Sequence, residues 1–208
     1  MERKNRRGKG GVLWFYGLSG SGKSTLAAAV AGELQALGVP CYILDGDVLR
    51  GGLNQDLSMS PEGRRENIRR AAHVARILAD AGLVVLAAFI TPYRELRGLL
   101  RRTIADFPYA EVYLDCGVDA CRARDPKGLY AKADAGLIPG FTGVSAPFES
   151  AESPELSVAT EKLPLERCVN KVLQQVAAMG LLAQDRAQGE MVSRLLNTSS
   201  QELLKAFK

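Results

Sequence analysis

The amino-acid sequence predicts an α/β fold in which a parallel β-sheet is flanked by helices. Short, almost continuously apolar runs alternate with longer segments of helical periodicity. A glycine-rich loop directly follows the first apolar run, as in α/β nucleotide-binding folds. At 208 residues, with 47% hydrophobic and 24% charged residues, the chain has the length and composition of one globular domain.

Five apolar runs are the predicted strands: 12–16, 41–44, 83–90, 112–114 and 156–159. Strands that are covered by helices on both faces are apolar throughout, as these runs nearly are. Between the runs, apolar residues recur at helical spacing, which predicts helices over 24–37, 61–81, 93–106 and 163–179. Gly82 is expected to end the second helix, and the third ends before Pro108.

Three segments lie outside this alternation. Residues 1–10 form a basic arm, and residues 183–208 form a tail with leucines spaced as in a short amphipathic helix. Between the fourth and fifth runs, residues 125–155 are rich in glycine and proline and have no sustained apolar period. Such a long irregular segment inside a compact domain is most often a lid.

Composition narrows the class of protein and its partners. The net charge is +4, and the basic arm is expected to be a solvated terminus, so no nucleic-acid partner is predicted. No apolar run is long enough to span a membrane, and we find no secretory leader. The four cysteines form no C-x-x-C pair or metal-ligand pattern, and Cys41 and Cys116 are expected to behave as small buried hydrophobes. We therefore expect a reduced, cytoplasmic protein without a membrane partner.

The loop after the first strand satisfies the pattern G-x-x-x-x-G-K-[ST] and stands between a strand and a helix, as a phosphate-binding loop must. Glycines allow the backbone amides to face an anion, and the following helix adds its positive N-terminal end. Lys23 is predicted to reach the β- and γ-phosphates, and Ser24 to offer its hydroxyl to Mg²⁺. The predicted phosphate-binding residues are Gly17, Ser19, Gly20, Ser21, Gly22, Lys23, Ser24 and Thr25.

A phosphoryl-transfer enzyme is the favoured class among P-loop proteins. A chain of this length leaves no room for a motor's added domains, and it has no N-K-x-D motif of a GTPase. Asp45 and Asp47 end the second strand, at the sheet edge where α/β proteins bind ligands. Asp47 can accept the proton of an attacking hydroxyl or help to hold the metal. The alternative is that the two carboxylates only start a turn and cap a helix.

Polar residues that follow the second strand suit a second anion. Helical spacing brings Arg64 and Asn67, together with Arg50, within reach of one cleft, and guanidinium groups pair well with phosphate or sulfate. His73 lies in the helical stripe, and we expect it to be a packed or surface residue rather than a catalyst.

The ordered set of motifs resembles the adenylylsulfate kinase family from Gly11 to Leu182. The matching segments are GLSGSGKST (17–25), LDGDVLR (44–50), ENIRR (66–70), AFITPYR (88–94), DPKGLY (125–130), GFTG (140–143) and SPEL (153–156). The resemblance implies a P-loop kinase fold of the nucleoside-triphosphate-hydrolase type, with a central five-stranded parallel sheet and a mobile lid at about 125–148. It also implies transfer of the γ-phosphoryl of ATP, with magnesium, to adenosine 5′-phosphosulfate in sulfate assimilation.

The resemblance also implies roles for individual residues. ATP and magnesium would be bound by the P-loop, with Arg124 nearby, and Asp47 would be the base or a metal-side carboxylate, supported by Asp45. The acceptor would be held by Arg50, Arg64, Asn67, Ile90, the backbone near Thr91, Lys127 and Phe141. Phe141 would stack on the acceptor's adenine, and Lys127 and Arg124 would approach the phosphates as the lid closes and excludes water.

The chain departs from the family pattern at three positions in this region. Met59 stands where the family usually has an aromatic residue, and Asp134 where an arginine is frequent. Thr91 replaces a serine, so a phosphoserine role is not carried over. A kinase of the same build with another nucleotide-linked acceptor stays open as an alternative, as does a nucleotide-dependent regulatory module. The assembly is also open, with a homodimer as one option.

Overall fold

The computed structural model describes residues 10–182. Its strands are β1 (Gly11–Tyr16), β2 (Cys41–Asp45), β3 (Val84–Ala88), β4 (Tyr109–Asp115) and β5 (Leu156–Ala159). Its helices are α1 (Lys23–Ala36), α2 (Gly46–Arg50), α3 (Pro61–Asp80), α4 (Arg94–Thr103), α5 (Val118–Arg124), α6 (Leu129–Asp134) and α7 (Leu165–Ala178).

The five strands form one parallel sheet in the order β2-β3-β1-β4-β5. The predicted fold class is therefore confirmed. Because β1 lies at the centre, the loop that follows it emerges in the middle of the sheet's carboxyl edge. The segments that follow β2 and β3 lie on one side of this loop, and those that follow β4 and β5 lie on the other.

Both faces of the sheet are covered, which explains why the strands are apolar throughout. Leu13 and Phe15 of β1 point to the face that α1 and α7 cover. Trp14 and Tyr16 point to the opposite face, against α3 and α4. All four side chains are fully buried, so β1 holds the loop that follows it on a fixed base.

The structure contains three short helices that the sequence analysis did not predict. The elements α2, α5 and α6 have five to seven residues each, and two turns are too few to establish a helical period in a sequence. The segment 125–155 is consequently less irregular than predicted, since α6 lies within it. The strand β4 begins at Tyr109, three residues before the predicted start, and β3 is shorter than the predicted run at both ends.

Several other expectations can be compared with the described range. Cys116 is buried as expected, whereas Cys41 is only partly buried because β2 lies at the edge of the sheet. His73 is exposed, which agrees with the surface assignment. None of the helices between residues 10 and 182 is long and apolar enough to cross a membrane. The tail 183–208 and residues 1–9 of the basic arm lie outside the described residues.

Candidate active site

A cavity of about 710 Å³ lies along the carboxyl edge of the sheet. It brings together every predicted site residue except Gly17: Ser19, Gly20, Ser21, Gly22, Lys23, Ser24, Thr25, Asp45, Asp47, Arg50, Arg64, Asn67, Ile90, Thr91, Arg124, Lys127 and Phe141. Gly17 lies behind the loop, where its carbonyl oxygen accepts a hydrogen bond from Lys23 Nζ at 3.0 Å. The predicted residues, spread over more than 120 positions of the chain, thus share one site.

The phosphate-binding loop runs from β1 to α1 with a backbone that requires glycine. Gly20 has φ +75°, and a Cβ added there would lie 2.7 Å from the carbonyl oxygen of Cys121. Gly22 also has a positive φ and immediately precedes α1. The loop therefore presents backbone amides to the cavity, next to the N-terminus of a 14-residue helix.

The ammonium group of Lys23 lies within the loop. Besides the Gly17 carbonyl, its Nζ donates to the carbonyl oxygen of Leu18 at 2.6 Å. Burial lowers the pKa of Lys23 to about 8, and the nearby carboxylates of Asp47 and Asp45 only partly oppose this effect. The lysine is therefore poised to gain from a polyanionic ligand, which would favour its charged form.

The two carboxylates after β2 have different partners. Asp45 Oδ2 accepts a hydrogen bond from Ser24 Oγ at 2.6 Å, and Asp45 Oδ1 accepts one from the backbone N–H of Asp47 at 2.8 Å. Asp45 is thus the N-cap of α2 through one carboxylate oxygen, while its other oxygen is bonded to Ser24 of the phosphate loop. The side chain of Asp47 does not cap the helix and instead forms an ion pair with Lys127.

Ser24 and Asp45 fit a magnesium ion of the kind that P-loop proteins use. Within residues 10–182 there is no group of three or more His, Cys, Asp or Glu side chains that could enclose a metal. Magnesium needs no such cage, because it is held by one or two protein oxygens together with substrate phosphates and water. The adjacent hydroxyl and carboxylate supply two hard oxygen ligands beside the phosphate loop.

On the β2 and β3 side of the loop, two guanidinium groups face the cavity. Arg64 donates to the carbonyl oxygens of Gly140, at 2.7 Å, and Met59, at 3.0 Å. Arg50 donates to the carbonyl oxygen of Leu57 at 3.1 Å. Burial, and then the charge of Arg64, lower the pKa of Arg50. Two neighbouring guanidinium groups that line one cavity form a suitable site for an anion.

Asn67 is buried on α3 at the same end of the cavity. Its Oδ1 accepts a hydrogen bond from Asn54 Nδ2 at 3.0 Å. Because this bond occupies the carbonyl side of the amide, the NH₂ group of Asn67 is oriented toward other acceptors. Asn54, which the sequence analysis did not single out, therefore sets the orientation of Asn67.

Thr91 lines the cavity, and its hydroxyl group is bonded within the core. Its φ is +43°, a conformation that a β-branched residue rarely adopts. The hydroxyl oxygen accepts a hydrogen bond from Trp14 Nε1 at 2.8 Å, and the residue is only 1% exposed. Because this bond occupies the hydroxyl group, the backbone near Thr91 and the adjacent Ile90 stay the predicted contacts with the acceptor.

Phe141 forms part of the cavity wall but is largely packed into the protein. It is 7% exposed, and its ring meets the ring of Tyr130 edge to face, with 5.0 Å between centroids. Met59 also lines the cavity and is 54% exposed, so it is free to move. Asp134 does not line the cavity, since it forms an ion pair with Arg122 at 3.3 Å.

The sequence analysis missed the β5 end of the cavity. Arg124 Nη2 donates to the carbonyl oxygen of Thr160 at 2.8 Å. Leu163, Leu165 and Cys168 complete this apolar end. The sequence could have indicated this end of the cavity in one general way. The connection from β5 to α7 also leaves the carboxyl edge of the sheet, where ligands bind in α/β folds.

The fold and the site define a P-loop kinase, in which Arg50 and Arg64 line the same cavity as the phosphate loop. A family model described as adenylylsulphate kinase matches residues 9–159. The chain belongs to the adenylylsulfate kinase family.

Individual relatives agree with this assignment. The adenylyl-sulfate kinase of Staphylococcus carnosus is 51% identical over 174 residues, which cover 83% of this chain and 87% of that protein. A solved structure of the Mycobacterium tuberculosis APS kinase in complex with AMPPNP and APS has a TM-score of 0.80 and 43% identity, and the match covers 82% of this chain and 99% of that one. A hexameric APS kinase from Thiobacillus denitrificans has a TM-score of 0.66 and 29% identity, covering 88% of this chain and 32% of that one.

Proposed function

We propose that this protein transfers the γ-phosphoryl group of ATP to the 3′-hydroxyl of adenosine 5′-phosphosulfate, giving 3′-phosphoadenosine 5′-phosphosulfate in sulfate assimilation. The observation that carries the proposal is the single cavity in which a phosphate loop, a carboxylate and a second cationic site adjoin. A kinase needs its donor and acceptor in one water-poor space, because catalysis of phosphoryl transfer is mostly positioning and charge stabilisation.

ATP is proposed to lie with its phosphates on the P-loop and its base toward β5. The apolar end formed by Leu163, Leu165 and Cys168 suits a purine ring, and Arg124 borders it. Lys23 would contact the β- and γ-phosphates. This direction leaves the β2 and β3 side of the cavity for the acceptor.

Magnesium is proposed to bind beside Ser24 and Asp45. When bound, it would supply positive charge that offsets the charge developing on the phosphate oxygens. The short bond between Ser24 Oγ and Asp45 Oδ2 holds both oxygens on the same side of the loop. Asp47 is then left for a different task, since its carboxylate points toward Lys127 instead.

Asp47 is proposed to accept the proton of the attacking hydroxyl. Its carboxylate is exposed and lines the cavity between the phosphate loop and the second cationic site. A general base has to reach the hydroxyl from a position next to the phosphate loop. Lys127 would turn from Asp47 to the phosphates, which frees the carboxylate for this role.

The acceptor is proposed to lie with its phosphosulfate near Arg50, Arg64 and Asn67. The side-by-side guanidinium groups match an anion with several acceptor oxygens. The base would stack on Phe141, and Met59 would cover part of the other face, since methionine adapts to irregular shapes.

The domain boundaries are also part of the proposal. We propose a basic arm over 1–10, a kinase domain over 11–182 with a lid at about 125–148, and a separate tail over 183–208. Lid residues contact the body partly through buried apolar side chains, those of Tyr130 and Phe141, and partly through hydrogen-bonding and charged groups, such as the bond of Arg64 to the Gly140 carbonyl. Polar contacts of this kind are easily exchanged for contacts with a ligand, which supports a segment that opens and closes.

We also propose a cytoplasmic location, where ATP is supplied and the four free thiols stay reduced. A homodimer stays a prediction.

The test is to incubate the purified protein with Mg-ATP and a panel of nucleotide acceptors and to identify the phosphorylated product. We expect phosphorylation of adenosine 5′-phosphosulfate at the 3′-oxygen, with adenosine 5′-monophosphate and 3′-dephosphocoenzyme A as much poorer acceptors. Preference for another nucleotide-linked acceptor would overturn the substrate assignment. The exposed Met59 is the feature that would favour such an outcome.

A further inference from the structure

Tyr130 touches both halves of the site without lining the cavity. It belongs to the first turn of α6 in the lid and is 1% exposed. Its hydroxyl donates a hydrogen bond to the carbonyl oxygen of Ser19 in the phosphate loop, at 3.0 Å. Its ring packs against Phe141. We propose that Tyr130 is a positioning residue that links the orientation of the phosphate loop to that of the acceptor wall.

The hydroxyl acts on a peptide group that belongs to the phosphate loop. The carbonyl of Ser19 and the N–H of Gly20 are parts of one planar, trans peptide unit, so they point in opposite directions. A hydrogen bond that fixes the carbonyl therefore also fixes the direction of the N–H. Such a bond polarises the peptide and strengthens its N–H as a donor. Tyr130 thus controls one of the amides that the loop offers to a phosphate.

The hydroxyl is a dependable donor. Burial raises the pKa of Tyr130 well above that of an exposed tyrosine, so the proton stays on the oxygen at any pH at which the protein is folded and active. Because a neutral hydroxyl carries no net charge, it can be buried beneath the loop without competing with Lys23 for the phosphates.

The ring of Tyr130 packs directly against the ring of Phe141. The two rings meet at an interplanar angle of 80°, with 5.0 Å between centroids, a favoured edge-to-face arrangement. Cys116 and Cys121 are buried in the same small cluster. Because Phe141 is itself 7% exposed and closely packed, we expect a change in the position of Tyr130 to shift the Phe141 ring.

Tyr130 is held firmly enough to transmit such a change. The carboxylate of Asp125 accepts hydrogen bonds from the backbone N–H groups of Leu129, at 2.8 Å, and Tyr130, at 3.0 Å. On the other side, the guanidinium of Arg122 lies 5.9 Å from the centre of the Tyr130 ring. The position of the Tyr130 side chain is therefore fixed relative to the start of α6 and to the end of α5.

The test compares Tyr130→Phe, which removes only the hydroxyl, with Tyr42→Phe. Tyr42 lies on β2, is 51% exposed and does not line the cavity. Calorimetry would give the affinity for a non-hydrolysable ATP analogue, and the affinity for adenosine 5′-phosphosulfate with and without that analogue. The ratio of the last two affinities is the coupling factor between the sites.

In the wild type we expect the analogue to strengthen acceptor binding about fivefold or more, the usual lower range for coupled sites. Tyr130→Phe should weaken analogue binding about three- to tenfold, as for the loss of one hydrogen bond, and reduce the coupling factor to below about two. Tyr42→Phe should match the wild type. Retention of the coupling factor in Tyr130→Phe, or no coupling in the wild type, overturns the proposal.

The inference rests on the proposed function in taking the phosphate loop as the ATP site and Phe141 as the wall of the adenosine 5′-phosphosulfate site. The two are judged by different results. The proposed function fails if the wild type does not phosphorylate adenosine 5′-phosphosulfate. The Tyr130 proposal fails if the wild type does so and the coupling factor is insensitive to the hydroxyl. Tyr130→Phe keeps the ring and its volume, and its thermal unfolding temperature would show that the fold is retained.

Discussion

Lys127 of the lid forms an ion pair with Asp47, 80 residues earlier in the chain. The pair joins the cation that the DPKG segment contributes to the carboxylate that we propose as the base. Its side chains are 55% and 71% exposed, so water competes for both charges and the pair contributes little to folding stability. A contact of this kind is readily exchanged, which leaves Lys127 able to turn toward phosphate and Asp47 able to receive a proton.

Asp47→Asn should lower kcat roughly 10²-fold, the usual effect of losing a general base. Since Asp47 is not the carboxylate bonded to Ser24, the affinity for Mg-ATP should change much less. Steady-state kinetics and a binding titration would measure the two effects. An unaltered kcat would show that Asp47 serves only as the partner of Lys127.

Lys23→Ala should abolish phosphoryl transfer and leave the fold intact. The reason is the charge that spreads over the phosphate oxygens in the transition state, which the ammonium group offsets. Lys171→Ala is the matched control, because Lys171 is an exposed lysine on α7 that does not line the cavity. Turnover near that of the control in a folded Lys23 variant would contradict the role of the phosphate loop.

The lowered pKa of Lys23 predicts a pH dependence. Because its pKa is about 8, the free enzyme loses the ammonium charge as the pH rises through about 8. We expect kcat/KM for ATP to fall above that pH by roughly tenfold per unit, since this parameter reports groups of the free enzyme. The kcat should stay flat over the same range, because bound phosphates favour the charged lysine.

The lowered pKa of Lys23 has the opposite effect on folding stability: the free energy of unfolding rises with pH, whereas kcat/KM for ATP falls. The unfolded chain keeps the Lys23 proton up to the ordinary lysine value of 10.5, whereas the folded protein releases it at about 8. This group therefore makes the free energy of unfolding rise with pH between these two values. A kcat/KM for ATP that is constant up to pH 10 would show that the pKa of Lys23 is not lowered in the free enzyme.

Phe141→Ala should raise the KM for the acceptor about tenfold or more, which corresponds to the loss of about 1.4 kcal/mol of stacking energy. The KM for ATP serves as the internal control and should change less. Met59→Phe should leave the acceptor KM similar or lower it, because an aromatic ring would define the second wall. A blocked acceptor in Met59→Phe would indicate a pocket shaped for a different molecule.

Thr91→Ala should destabilise the protein by about 1–3 kcal/mol, because it leaves the buried Trp14 Nε1 without its acceptor. Thr91→Ser is the matched control, since serine keeps the hydroxyl oxygen and has no branched Cβ to strain at φ +43°. Urea denaturation would give both values. Equal stability of the alanine and serine variants would show that the Trp14 bond contributes nothing.

The sequence by itself determined the sheet, the phosphate loop and the order of the motifs. Each of these is carried by neighbouring residues: a run such as 12–16 is apolar because both faces are covered, and residues 17–25 form the loop from their own backbone preferences. The carboxylates after β2 could also be predicted, because the end of a strand has a known position relative to the loop. The short helices α5 and α6 could not, because they have too few turns to establish a period.

Only the tertiary structure decided which side chain of a motif faces the ligand. The hydroxyl group of Thr91 is bonded to Trp14, 77 residues away, and is therefore not free to bind a ligand. Tyr130 reaches Ser19 across 111 positions. Contacts between residues that are this far apart in the sequence depend on the order of the strands and on how the lid lies over them. A local pattern specifies the conformation of a segment, but it does not specify the partner that burial brings to it.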